Sequence, residues 1–201
     1  FIITLLMKNI NKKKYIRVPY GQSVHGKEEK KAVIKVLNSS TQMGLNVSTF
    51  EKKIAKLFNK KYGLMVNSGS SALLLAMEGL NLPKGSEIIT PALTFGTTVS
   101  YIVRNGLIPV FVDVKEGTYC IDEDQIQSLI NKRTKAIVAP HLLGNIVNWK
   151  KILKTIKRKD ILIIEDSADT LGATHHKRST GYYTDISITS FYGSHIINCA
   201  G

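Results

Sequence analysis

Short, nearly continuous apolar runs punctuate this chain at Tyr62 to Val66, Glu87 to Thr90, Ile108 to Val112, Lys135 to Ala139 and Ile161 to Ile164. Runs of this kind, rich in β-branched residues, mark strands covered on both faces. Between them apolar residues return at helical spacing, which predicts helices over Ser71 to Leu80, Thr94 to Asn105 and Trp149 to Ile156, with another opened by Asp122 and Gln125. Upstream, Ala32, Val33, Val36 and Leu37 predict an amphipathic helix over Glu28 to Leu37. Ser48 followed by Glu51 has the form of a capping box, so a second helix is expected to start there, with Phe50, Ile54, Leu57 and Phe58 on its core side. Alternating strands and helices imply an α/β fold with a mainly parallel sheet and helices on both faces. No repeat or linker interrupts the pattern. The expected organisation is one domain over residues 20–201 behind a basic arm of residues 1–19.

Strand-to-helix turns of such a sheet share one edge, where ligands bind. That edge is expected to carry Asn67 to Ser71, Pro91 to Phe95, Asp113, His141, Asp166 and Ser190 to His195. Asn67-Ser68-Gly69-Ser70-Ser71 precedes a helix, whose free N–H groups and dipole suit a phosphate; the serines serve equally as plain N-caps. The segment lacks both the GK[ST] ending of a nucleotide P-loop and the GxGxxG of a dinucleotide turn. Phe95 suits stacking on a flat heteroaromatic ring, or a core position. Asp166, at the end of a buried strand, suits a protonated ring nitrogen, or simply caps a solvated loop. Together, a phosphate cradle, a ring stacker and an acid for a pyridinium describe pyridoxal phosphate.

The formal charge of +13 on 201 residues raises the question of nucleic acid. The lysines, however, are spread over helical segments with few aromatics between them, which argues for a phosphorylated or nucleotide-linked small molecule and against nucleic acid. Cys120 and Cys199 form no CxxC pair, no metal-ligand set is visible, and FIITLLM is too short to span a bilayer, so a cytoplasmic protein without membrane contact is expected.

From about Tyr20 to Gly201 the chain resembles the DegT/DnrJ/StrS-type sugar aminotransferases and dehydratases, in the ordered blocks YGQSVHG, KYGLMVNSGSSALLLA, ITPALTFGTT, PVFVDV with YCID, PHLLGN, IIEDSADTLGA and TSFYGSHI. The resemblance implies the large domain of the fold type I pyridoxal-phosphate transferases, truncated before the small C-terminal domain, and a homodimer. It implies that Gly69, Ser70 and Ser190 hold the cofactor phosphate, Phe95 stacks on the ring and Asp166 engages its nitrogen. Asp169 stands where the aminotransferases carry a Gln near the ring hydroxyl. The lysine that holds the cofactor covalently in the aminotransferases is replaced here by His195. That substitution resembles the branch of 3-dehydratases acting on nucleotide-linked 4-keto-6-deoxy sugars, which use pyridoxamine phosphate with histidine as base, in the biosynthesis of deoxysugars and surface polysaccharides such as lipopolysaccharide O-antigen. A nucleotide-sugar aminotransferase and a non-catalytic protein on the same fold are the alternatives. An iron–sulfur cluster with a partner reductase, used by one sub-branch, is disfavoured, because a cluster cysteine of that branch aligns with Ala168.

Overall fold

Five parallel strands form the centre of the molecule: β1 Glu87–Pro91, β2 Ile108–Val112, β3 Thr134–Pro140, β4 Leu162–Asp166 and β7 Ile186–Ile188, arranged in the order β2-β1-β3-β4-β7. A small hairpin, β5 Thr174–His175 and β6 Arg178–Ser179, stands apart from the sheet. The computed structural model describes residues 16–19, 21–22, 24–157 and 160–199. The expected basic arm therefore lies largely outside the described residues.

Each continuous apolar run divides its residues between two faces, as a period of two requires. Ile88, Ala136, Val138, Ile164 and Ile188 pack with Leu73, Met77 and Ile102, from α3 (Gly69–Gly79) and α4 (Gly96–Arg104). Ile89, Val112, Ile137 and Ile163 pack on the other face with Ile126 of α5 (Glu123–Leu129) and with Trp149 and Ile152 of α6 (Trp149–Thr155). The expected mainly parallel sheet with helices on both faces is thus observed.

Two local expectations need correction. α2 spans Leu45–Leu57 from an N-cap at Gly44, so Ser48 lies inside the helix and its N–H bonds the Gly44 carbonyl. Glu51, the other half of the supposed capping box, accepts the Met65 N–H at 2.8 Å instead. Tyr62 to Val66 is not a strand. Gly63 lies so close to α2 that a Cβ there would stand 2.6 Å from the Glu51 carbonyl oxygen. The segment is held by α2 and joins no sheet, because an apolar run becomes a strand only where an edge is in reach to pair with it. α1 (Lys27–Leu37) forms as expected, yet none of its residues is buried.

The end of α2 is seated on the turn before β7. Lys60 donates to the carbonyls of Gly181, at 2.7 Å, and Thr184 and to the Thr184 hydroxyl at 3.1 Å. A Cβ on Gly181 would clash with the Phe58 carbonyl oxygen. Gly181→Ala is therefore expected to destabilise the fold by about 1–3 kcal/mol. Gly79→Ala, at the end of α3 with nothing within 4 Å of the new methyl, should instead stabilise by about 0.5–1 kcal/mol through helix propensity. Chemical denaturation of the two variants should shift the midpoint in opposite directions.

Candidate active site

Register places the site. Pro140 of β3 pairs with Asp166 of β4, and Asp166 with Ile188 of β7, so three strands end on one line. Beyond it opens a cavity of about 670 Å³ whose walls include Gly69, Ser70, Phe95, Asp166, Asp169, Ser190 and His195, every cofactor and catalytic residue expected from the sequence. His141 also lines it. Asp113 does not line it, because β2 is the far edge strand, two positions from β3. There the Asp113 carboxylate accepts the Val114 N–H and its carbonyl the Asp122 N–H.

At one end of the cavity α3 begins. The Ser68 hydroxyl caps the Ser71 N–H at 3.0 Å and the Ser68 carbonyl accepts from Ala72, which leaves the first N–H groups of the helix, on Gly69 and Ser70, for an outside acceptor. Gly69 is needed here for space, since a Cβ would stand 2.8 Å from Ser190 Cβ and 3.1 Å from its Oγ. The Ser190 hydroxyl therefore lies beside the helix start, and the pair makes an anion cradle. Phe95, the N-cap of α4, is 66% exposed. An aromatic ring left open at a cavity wall suits a flat ligand.

Asp166 ends β4 on the cavity floor. Loss of water pushes its pKa up and neighbouring Asp169 adds to this, while the Ala168 N–H, at 3.1 Å, and the nearby His141 and His195 work in the opposite direction. A carboxylate held this way is short of a cationic partner, which the protonated nitrogen of a pyridine ring would supply.

Sequence reading misses what lies behind this floor. Glu165, next to Asp166 on β4, is fully buried, and its Oε2 takes a 2.8 Å hydrogen bond from His141 Nε2. His141 Nδ1 accepts the Val147 N–H at 3.0 Å, so the ring proton is on Nε2. The signal is present in the sequence, since adjacent residues of a strand point to opposite faces and a glutamate beside a floor aspartate must find a partner in the core. Lys60 is the lysine in the cavity wall. Burial lowers its pKa against the pull of Glu165 and Asp185, and its ammonium donors are committed to the oxygens of Gly181 and Thr184. Outside the cavity, the acids Asp122, Glu123 and Asp124 gather around the Lys115 ammonium.

His195 follows β7, with its N–H bonded to the Tyr192 carbonyl at 2.9 Å. Its Nε2 stands 3.8 Å from Asp169 Oδ1. Asp169 Oδ2 accepts the Leu143 N–H at 3.0 Å.

The chain superposes on E. coli GDP-4-keto-6-deoxy-D-mannose-3-dehydratase with bound hydrated PLP, with a TM-score of 0.86 and 36% identity over 91% of this chain and 49% of that one. The fold is that of the large domain of the fold type I pyridoxal-phosphate enzymes. Residues 23–201 match the DegT/DnrJ/EryC1/StrS aminotransferase family, and the chain belongs to it. Among its relatives, dTDP-4-dehydro-2,6-dideoxy-D-glucose 3-dehydratase of Saccharopolyspora spinosa is 41% identical over 77% of this chain and 35% of its own length. GDP-4-keto-6-deoxy-D-mannose 3-dehydratase of Yersinia pseudotuberculosis is 36% identical over 92% of this chain and 49% of its own. The chain thus spans about half the length of these relatives or less. Among the described residues, no helix is long and apolar enough to cross a membrane.

The Asp166 shift has a testable sign. A carboxyl whose folded pKa is raised weakens the cofactor-free fold once ionised; the penalty is absent below the ordinary carboxylate pKa of about 3.9 and complete above the raised one. Asp166→Asn should therefore raise the unfolding temperature of cofactor-free protein near neutral pH, and this gain should vanish in acid. The same variant should bind pyridoxal phosphate more weakly, by about 1.5–3 kcal/mol for a lost charge-assisted bond. Thermal unfolding at two pH values and a cofactor titration check both.

Proposed function

We propose that the protein is a pyridoxamine/pyridoxal-phosphate-dependent 3-dehydratase of a nucleotide-linked 4-keto-6-deoxy sugar, acting in the biosynthesis of deoxysugars for surface polysaccharide. The observation that carries this reading is His195 standing in the cavity wall, at the place where aminotransferases of the family hold their covalent lysine. The residues present fit the cofactor: the absence of a Cβ on Gly69 brings the Ser190 hydroxyl against the start of α3, so that both can meet a phosphate, and burial pushes up the Asp166 carboxyl, which a ring cation would relieve.

In this reading the N–H groups of Gly69 and Ser70 and the Ser190 hydroxyl hold the phosphate. Phe95 covers one face of the ring, and Asp166 keeps the ring nitrogen protonated. When bound, the cofactor supplies an amine for the C4 ketone and a sink for electrons. His195 takes the proton whose removal drives out the C3 hydroxyl; imidazole suits this because it changes protonation near neutral pH. A lysine in its place would recapture the cofactor and favour amino transfer. Lys60, bound to Gly181 and Thr184, is not placed to substitute for it. Exposed apolar side chains at the cavity, Phe95, Leu143 and Tyr192, support a homodimer in which a second copy covers the site. The net charge of +13 favours a nucleotide-linked substrate.

Borohydride tests the absence of a covalent lysine link. Wild-type protein loaded with pyridoxal phosphate and treated with borohydride should lose all cofactor on denaturation, and His195→Lys should retain it. Stable labelling of the wild type would return the assignment to a nucleotide-sugar aminotransferase. His195→Asn should bind cofactor normally and lose about 10²–10⁴-fold in turnover.

A further inference from the structure

The loop that carries His195 is closed on itself. The Tyr192 N–H donates to the Ser190 hydroxyl at 3.3 Å, the His195 N–H to the Tyr192 carbonyl at 2.9 Å and the Cys199 N–H to the Phe191 carbonyl at 3.0 Å. Both partners of each bond lie within residues 190–199, so these bonds set the shape of the loop and not its place. His195 stands in no helix or strand, and its place depends on contacts with other parts of the chain. One comes from α2, whose Phe50 ring lies 5.0 Å from that of Phe191 between centroids.

Two more come from the segment just before α1. A Cβ on Gly21 would stand 2.8 Å from Ser194 Cβ and 2.9 Å from Ser194 Cα, so any side chain there would collide with the backbone of the residue next to His195. Four positions on, His25 Nε2 donates to Asn198 Oδ1 at 2.9 Å. Gly26 then caps α1, with its N–H bonded to the Glu29 carboxylate at 2.6 Å. The segment therefore reaches the loop on both sides of His195, at Ser194 and at Asn198. Neither Gly21 nor His25 lines the cavity, whereas Ser194 and His195 do. Contacts made from outside the cavity act on a ligand only through the loop they hold.

From this geometry we infer that Gly21 and His25 are positioning residues for His195. The segment before α1 is a strap that bears on the loop at Ser194 and ties it at Asn198, so that the imidazole is kept at the cavity wall. The inference deepens the dehydratase reading and rests on His195 being its base. A catalytic group misplaced by about 1 Å loses on the order of 10²-fold in rate, so a base carried on a loop needs such ties more than one carried on a strand. Gly21 acts by allowing close approach, and His25 by a directed bond; the two are separable by substitution.

The test is hydrogen exchange of the intact protein, read at the His195 and Cys199 amides, beside steady-state kinetics with cofactor and nucleotide sugar. Both amides are bonded inside the loop, so their exchange reports its opening. His25→Leu and Gly21→Ala should each speed exchange at these two positions by about three- to tenfold and leave that of Ile164 in β4 unchanged. In the same variants kcat should fall by about tenfold with little change in KM. His25→Gln, which keeps a donor for Asn198, should restore both readouts. His25→Leu combined with Asn198→Leu should lose no more than either change alone, since both remove one bond. Wild-type exchange in either Gly21→Ala or His25→Leu, additive losses in the double variant, or a raised KM at constant kcat would overturn the inference. If wild-type protein releases no C3 hydroxyl, the dehydratase reading fails, while exchange at His195 and Cys199 still decides whether the strap holds the loop.

Discussion

Parallel pairing of β3, β4 and β7 in a single register is the constraint on which the site depends. Because Pro140, Asp166 and Ile188 are aligned across three strands, the segments that follow them must open into the same space. His141, Asp169 and His195 then come together although 54 positions separate the first from the last. The apolar residues beneath, Ile137, Ile163, Ile164 and Ile188, are nearly or fully buried and fix that line from both faces. Each contributes about 1.5–3 kcal/mol by burial, so the register is held by the core and not by the polar groups that exploit it.

Those polar groups are placed against their own preference. Glu165 and His141 are withdrawn from water and bonded to each other through Glu165 Oε2, with Val147 fixing the second imidazole nitrogen, while Glu165 Oε1 is buried without a hydrogen-bond partner among the described residues. Lys60 stands close enough to Glu165 to balance part of its charge while bonding the turn before β7. With the layer behind the floor neutralised in this way, Asp166 is left as the acid that burial works against and that a bound cation would relieve. A histidine-paired acid behind the strand and an acid held at its end by a backbone N–H are two outcomes of one alternation, on adjacent residues.

Much of this is legible in the sequence, for identifiable reasons. β3 and β4 carry nearly continuous apolar runs because helices cover both faces of the sheet there, whereas the edge strand β2 keeps Ile108 and Phe111 exposed, and the cradle at Gly69 and Ser70 is a local pattern of small residues before a helix. Tyr62 to Val66 reads as a strand yet is none, because pairing is not a property of the run itself, and Gly63 packs it on α2. Ser48 and Glu51 have the spacing of a cap although the helix has already begun after Gly44, and Glu51 is needed by Met65. Asp113 groups with the site on sequence grounds because a single chain shows which edge a turn lies on but not the lateral order of strands. The partners of Asp169 lie beyond such reading, since one depends on a left-handed Leu143 and the other on a residue 26 positions away across β7.

An imidazole in place of an amine is what separates the proposed chemistry from that of the aminotransferases in the same family, and the product records the difference directly. The decisive measurement is mass spectrometry of the nucleotide sugar after one turnover with pyridoxamine phosphate and a nucleotide-linked 4-keto-6-deoxy sugar. The account predicts a product that keeps its ketone and has lost the oxygen at C3. A product that keeps the C3 hydroxyl and carries an amine at C4 would contradict it.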